Sequence, residues 1–308
     1  MIRTSKPKTP DAIFTGDWHL TESTPICRTD NFWEAQWKKV DFIIDLAKDW
    51  ECHIFNSGDL YDRWKVSPYL ISTTLKHLSV KVLKSLMFVI YGNHDLPQHN
   101  YENAKFCGLY TLLEARAVSL CEGGSFGQEL TLEKAYSLVS PSGVIRKIGM
   151  LHEFAYPAKA GLPWPGCTAR TAEEILDAYP GFDVIVTGDN HTGFYIIDKD
   201  GRLLVNPGCI TRQTADHINY KPSVYTYFAD TNTVEAIMIP IEKGVVSKEH
   251  LTKVEERNSR IEAFISKLSD EWQVAISFEE NLERFFEANN IEESVRQLIY
   301  KAMEGKVQ

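Results

Sequence analysis

Asn56-Ser57-Gly58-Asp59-Leu60-Tyr61-Asp62-Arg63 follows an apolar run, Cys52 to Phe55, that has the length of a short buried strand. Gly58 lets the chain turn sharply, and a carboxylate follows at once. In an open α/β sheet the space beyond a strand's C-terminal end is where ligands bind. Asp59 therefore sits where a functional carboxylate is expected, and the question is what converges on it.

Four other apolar runs end in the same way. They deliver Asp17 and His19, Asn93 with His94, His152, and Asp189 with His191. Two of these ends echo each other. Asp11-Ala12-Ile13-Phe14-Thr15-Gly16-Asp17-Trp18-His19 and Asp183-Val184-Ile185-Val186-Thr187-Gly188-Asp189-Asn190-His191 agree at six of nine positions. Copies so far apart cannot stack as solenoid repeats, so the echo reads as one solution used from two strands facing one site. In Asp-x-His an extended backbone sends both side chains to one side, where a single ion can take both. Carboxylates, an amide oxygen and imidazoles together suit Mn²⁺, Fe²⁺ or Zn²⁺. The set contains no cysteine, which argues against a structural zinc site. It has more donors than one ion needs, so two ions are expected, with Asp59 as the bridge.

Away from these ends the chain alternates. Helical spacing covers 31–50, where Phe32, Trp33, Trp37, Val40, Ile43, Ile44 and Ala47 share a face, and further helices are expected over 68–86, 103–114 and 172–179. Strands are expected at 11–16, 52–57, 87–91, within 130–151, and at 183–187, with a run of hairpins through 194–239. The stretch 155–170 is rich in Pro and Gly and reads as a long loop. The pattern predicts an α/β fold, a two-sheet αββα sandwich with helices outside and a small helical C-terminal segment. The division expected is a catalytic domain over 1–242 and a helical cap or partner-binding segment over 243–308, with helices at 247–268, 279–289 and 291–303. Residues 247–308 carry 9 Lys and Arg against 13 Asp and Glu, an acidic balance unsuited to grasping DNA.

The chain has 308 residues and a net charge of −9, which excludes a protein that coats nucleic acid non-specifically but not a nuclease with a local basic groove. No run approaches the roughly 18 apolar residues of a membrane span. Met1 to Pro10 lacks the apolar core of a secretory signal. Six scattered cysteines without a CxxC pair read as reduced thiols in the cytoplasm.

Taken together, Asp17-Trp18-His19, Gly58-Asp59-Leu60-Tyr61-Asp62-Arg63, Gly92-Asn93-His94-Asp95, His152 and Gly188-Asp189-Asn190-His191 resemble the ordered motifs of the calcineurin-like metallophosphoesterases. The likeness spans about residues 11 to 215. Asp17-Trp18-His19-Leu20 and Asn206-Pro207-Gly208 with Arg212 are similar to the SbcD-type DNA repair exonucleases. The resemblance implies one ion on Asp17, His19, Asp59 and His191, and a second on Asp59, Asn93, His152 and residue 189. The family has His at that last position and this chain has Asp189, which should favour a harder ion, Mn²⁺ above Mg²⁺, Fe²⁺ or Zn²⁺. It also implies in-line attack by an activated water, with His94 as acid, Asp95 orienting His94, and Arg63 either contacting phosphate or bracing the Asp59 loop through Asp62. The expected substrate is DNA and the expected partner an SMC-like ABC ATPase, in a bacterial or phage-infected cell; a homodimer is compatible.

Two rivals are carried beside this reading: a phosphoesterase acting on a small nucleotide or phosphoprotein, and a non-catalytic binding module with a decayed site. Trp18 is expected to pack in a wall rather than stack on a base. His53, His77, His217 and His250 are read as structural or solvent-exposed, and His99 as the one remaining histidine near the site.

Overall fold

The computed structural model describes residues 9–79, 87–121, 126–127, 130–252, 257–262 and 278–304. The chain divides into two compact units, Met1–Ser247 and Lys248–Gln308. In the first, β1 (Ala12–Thr15), β2 (His53–Asn56), β3 (Met87–Val89) and β4 (Ser119–Leu120) run parallel, and β10 (Ser223–Phe228) and β11 (Thr233–Met238) add antiparallel, in the order β11-β10-β1-β2-β3-β4. The second sheet has the order β5-β6-β7-β9-β8. Its β6 (Ile145–Leu151), β7 (Val184–Thr187) and β9 (Leu203–Asn206) are parallel, with β5 (Tyr136–Val139) and β8 (Phe194–Ile197) antiparallel at the edges.

Strand alternation divides the side chains between layers. Phe14, Phe55, Phe88, Ile148, Met150, Val184, Val186, Val205 and Tyr227 form the core between the two sheets. Their neighbours Ile13, Ile54 and Val89 point the other way, against Val40, Ile43, Ile44 and Ala47 of α1 (Phe32–Trp50). α1 starts where the Asn31 side chain accepts the Glu34 N–H, and stops where Glu51 turns left-handed. On the outer face of the second sheet Ile185 and Leu204 pack with Ile175 and Leu176 of α4 (Ala172–Ala178). The expected sandwich of two mixed sheets with flanking helices is therefore present.

Some local expectations shift. The helix expected at 68–86 is α2 (Pro68–Ser79), and its last residues lie outside the described ones. The helix expected at 103–114 is two elements, a 3₁₀ stretch Tyr101–Phe106 and α3 (Gly108–Glu114). Cys107 is extended between them, and its thiol caps α3 by accepting the Tyr110 N–H. β4 was not expected, because two residues show no alternation. The 155–170 loop holds one 3₁₀ turn, Ala158–Ala160.

The second unit contains helices Phe278–Ala288 and Glu293–Glu304, near the expected bounds. Leu282, Phe285 and Phe286 form its small core, with Ile291, Ile299 and Tyr300 packed on them. The earlier helix expected at 247–268 falls partly outside the described residues; 249–252 and 257–262 are helical. Among the described residues no helix is long and apolar enough to cross a membrane.

Candidate metal centre

The parallel strands β1, β2 and β3 of one sheet and β6 and β7 of the other are those whose ends carry the candidate ligands. Past β1 and β2 the chain stays paired as loops. Asp17 N donates to the Gly58 carbonyl at 3.1 Å, His19 N to Asp59 O at 3.0 Å, and Leu20 N to Leu60 O at 3.0 Å. These bonds hold the backbone in conformations that L-residues avoid. Asp17 has φ 48°, His19 44°, Asp59 51° and Asp189 68°. Each such residue costs on the order of 1 kcal/mol or more, and positions of this kind collect at functional sites. Four of the seven expected ligands share the feature.

The side chains converge. One oxygen, Asp59 Oδ2, lies 3.2 Å from His152 Nε2 and 3.7 Å from His19 Nε2. His19 Nε2 lies 3.1 Å from His191 Nε2, and Asn93 Oδ1 lies 2.8 Å from His152 Nε2. Two donor groups consist wholly of expected ligands, Asp17–His19–His191 and Asp17–Asp59–His152, and a further one joins His19 to Asp62 and His94, with donor atoms within 4.8 Å of one another in each. Asp17, His19, Asp59 and His152 are all buried.

These residues fit divalent metal. Asp17 Oδ2 and Asp59 Oδ2 are buried and accept no well-formed hydrogen bond among the described residues, Asp59 Oδ2 facing His152 Nε2 at 3.2 Å. A bare buried carboxylate oxygen costs more than the roughly 1–3 kcal/mol of a neutral group, so a cation is its natural partner. His152 makes the same point from the nitrogen side. Its Nδ1 lies 2.7 Å from the Ser57 carbonyl and so carries the hydrogen. Nε2 then faces two oxygens, which only a proton or a metal can reconcile. His19 departs from the usual ligand pattern, since its Nδ1 is buried without the acceptor that commonly fixes a ligating ring.

The titration directions follow. Burial opposes a charge on His152, but Asp59 and Asp17 and the Ser57 carbonyl win, raising it to about 10. Asp59 is held well below the ordinary carboxylate range: burial works against this, and His152 and His19 overcome it. Burial, with the Asp59 and Asp189 charges, raises Asp17 to about 7, against the pull of His152. Burial lowers His19 to about 3 despite Asp59, which leaves a neutral ring with a lone pair. His191 is lowered too, chiefly by burial.

Asp95 does not orient His94. It is buried under the loops, where Oδ1 accepts the Tyr61 N–H and Oδ2 accepts those of Leu60 and Gly92, at 3.1–3.2 Å. Three amides converge on it and no hydrogen bond joins it to His94 among the described residues, so it sets the backbone that carries Asp59. His94 is exposed, and its Nδ1 donates to the Asp62 carbonyl at 2.7 Å. Its backbone N–H donates to Asp59 Oδ1 at 2.9 Å, and its ring lies edge-on to His19 with centroids 4.7 Å apart. The Arg63 side chain is 76% exposed and 3.5 Å from Asp62, which suits a loose brace. Asp189 donates its backbone N–H to Asp17 Oδ1 at 3.1 Å; among the described residues its carboxylate joins none of these donor groups.

Trp18 is fully buried and donates to Thr15 Oγ1, so it packs in the wall. His99 is exposed. Three features escaped the sequence reading. Cys209 and His217 form a donor group with His191, on the far side of a turn that only Asn206-Pro207-Gly208 signals. A cavity lined by Phe126, Phe154, Arg170 and Tyr179 reaches His152 and Asp189. Arg170 there is forked onto Glu153. All six cysteines are free, five of them buried.

The profile of the family described as calcineurin-like phosphoesterase matches residues 12–193. No curated protein matches the sequence. Among solved structures, a single mutant of Vps29 from Entamoeba histolytica is similar at 14% identity, over 74% of this chain and 99% of that one, with a TM-score of 0.34. Wild-type Vps29 from the same organism, complexed with zinc, is similar at 13% identity, over 74% and 97%, with a TM-score of 0.33.

Proposed function

The chain belongs to the calcineurin-like phosphoesterase family, and on that premise we propose that it is a two-metal phosphodiesterase that cleaves DNA. The observation that carries the reading is the pair of bare buried oxygens, Asp17 Oδ2 and Asp59 Oδ2, ringed by the nitrogens of His19, His152 and His191. Asp17, His19, Asp59 and His191 would hold one ion, and Asp59, Asn93, His152 and Asp189 the other. Bound divalent ions, Mn²⁺ first among them, supply Lewis acidity for water activation and for neutralising phosphate charge.

The chain's own residues do the rest. Asp95 and the left-handed backbone at Asp59 fix the central carboxylate before substrate arrives. The Asp62 carbonyl accepts from Nδ1 of His94, so Nε2 is the atom that takes up a proton from solvent and, in the doubly protonated ring, delivers it to the leaving oxygen. Arg63, being exposed, meets the phosphate from outside or braces the loop. DNA as substrate is supported by the Asp17-Trp18-His19-Leu20 likeness to SbcD-type exonucleases. The cavity beside His152 offers aromatic walls of the kind a nucleobase packs on. On this reading the helical unit after 247 is the dock for an SMC-like ATPase, and the protein works in the cytoplasm.

The test is turnover of labelled linear duplex and single strands with Mn²⁺, beside a small phosphodiester and a phosphomonoester. Cleavage of DNA by the wild type and none by Asp59→Asn supports the proposal. Hydrolysis of only the small esters moves the substrate to a nucleotide or phosphoprotein, a reading that the net charge of −9 favours. Metal-free protein with no turnover would leave a binding module.

A further inference from the structure

Away from the metal ligands, a cavity of about 210 Å³ lies against α1 and the stretch that follows β11. Its wall carries Arg28, Lys38, Lys39 and Arg212, and only two carboxylates, Asp30 and Glu242. That is a cationic excess in a chain whose net charge is −9. Three of the cations are nearly out of water, Arg28 at 8%, Lys39 at 6% and Arg212 at 4% exposed.

Their partners do not cancel the charge. Of the three buried cations, Arg28 is the one that forks onto a carboxylate among the described residues, Asp30 at 2.8 and 2.6 Å. Lys39 Nζ donates to the Pro240 carbonyl at 3.1 Å, and Arg212 Nη2 donates to the Glu242 carbonyl at 2.5 Å. Carbonyls satisfy hydrogens but bring no charge, so the three buried cations share the single Asp30 carboxylate among the described residues. Arg212 Nε is buried and has no acceptor among the described residues. Burial, then Arg212 and Arg28, push Lys39 down to about 8, as expected of a cation held among cations. A staple holding residues 240–242 against α1 explains the carbonyl contacts. It explains neither the unused Nε nor an open cavity where apolar packing would serve. At the mouth Lys38 and Glu242 are exposed and 3.5 Å apart, so the entrance is wet while the floor is not.

We propose that this cavity binds a phosphate-class oxyanion, free orthophosphate or the terminal phosphate of a nucleotide or nucleic-acid strand, held by Lys39 and Arg212 with Lys38 at the entrance. A polyvalent tetrahedral anion matches both the charge excess and the unspent donor. The site shares no residue with the metal centre, and its test does not depend on what that centre does.

Calorimetric titration of the full chain with orthophosphate, at constant ionic strength in chloride, reads it directly. The same titration is run on Lys39→Met, which keeps the packed stem, and on Lys38→Ala, whose exposed side chain can be lost without unfolding. Saturable binding is expected, weakened about tenfold or more by Lys39→Met, the worth of one charge-assisted hydrogen bond, and less by Lys38→Ala. An oligonucleotide with a 5′-phosphate that competes, where the same strand with a 5′-hydroxyl does not, identifies the source as a strand end; competition by neither strand leaves free orthophosphate as the ligand. Phosphate binding that disappears with a chelator belongs to the metal centre and overturns the proposal. So does equal affinity in wild type and Lys39→Met.

Discussion

Asp59 and His152 meet 3.2 Å apart, oxygen to nitrogen, in a space from which solvent is excluded. The same oxygen is the one that also approaches His19. Replacing Asp59 by Asn therefore removes a carboxylate that reaches a nitrogen of each donor group, beside Asp17, which is a member of both. Metal content by elemental analysis is expected to fall at both sites. Turnover is expected to drop by two orders of magnitude or more, beyond the 10–100-fold typical of a lost outer-shell partner. Full metal content in Asp59→Asn would remove Asp59 from the bridge.

Metal affinity should rise with pH. In the metal-free protein His152 keeps its proton up to about 10 and Asp17 up to about 7. An ion taking those atoms must expel the protons. Filling both sites releases two protons below about 7, one from Asp17 and one from His152, and only that of His152 between about 7 and 10. The affinity of the His152 ion is then expected to climb about tenfold per pH unit up to about 10, and that of the Asp17 ion about tenfold per unit up to about 7 and to level off above it. Competition titrations at a series of pH values check the slope, and a flat profile would contradict the His152 assignment.

Asp95→Asn tests a structural role. An amide keeps one acceptor oxygen and turns an NH₂ toward backbone N–H groups that also donate. The expected loss is about 1–3 kcal/mol in denaturant unfolding, with activity falling as the Asp59 loop shifts. If Asp95 instead tuned the His94 proton, the pH–rate profile would move while stability held.

Gly92→Ala should be worse than its size suggests. A Cβ at Gly92 would lie 2.0 Å from Asp59 Oδ1 and 2.5 Å from the Asp59 nitrogen. Neither neighbour can yield, one being backbone and the other pinned by the His94 N–H. Overpacking of this kind costs about 1–3 kcal/mol, read as a lowered melting temperature together with lost metal.

Asp189→Asn separates the two ions. Asn tolerates the left-handed backbone at this position, and the N–H to Asp17 survives. Loss of one ion per chain with the other retained is the expected result. Retention of both would leave Asp189 with only its backbone role.

Much of this was legible because the strands are short and each ends on a Gly or a polar ligand, as in Gly16-Asp17 and Gly188-Asp189. Apolar runs gave the two sheets, and the order of the ends gave candidate ligands of which the loops bring Asp17, His19, Asp59, His152 and His191 into donor groups, while the Asp189 carboxylate stays outside them. Asp95 misled because its place in Gly92-Asn93-His94-Asp95 reads as chemistry, whereas three amides from two loops claim it. The cationic cavity was invisible for another reason. Arg28, Lys39 and Arg212 sit on a loop, a helix and a turn that meet only once β10 has paired with β1. No spacing encodes that meeting.

The left-handed backbone at Asp17, His19, Asp59 and Asp189 also bears on how such a protein would be lost. Glycine relaxes every one of these positions, and it removes a crowded donor at the same stroke. In a metal-starved cell, then, inactivating substitutions here need not weaken the fold and can strengthen it. Drift would run downhill toward a well-folded, inert descendant, and only selection on turnover opposes that slope.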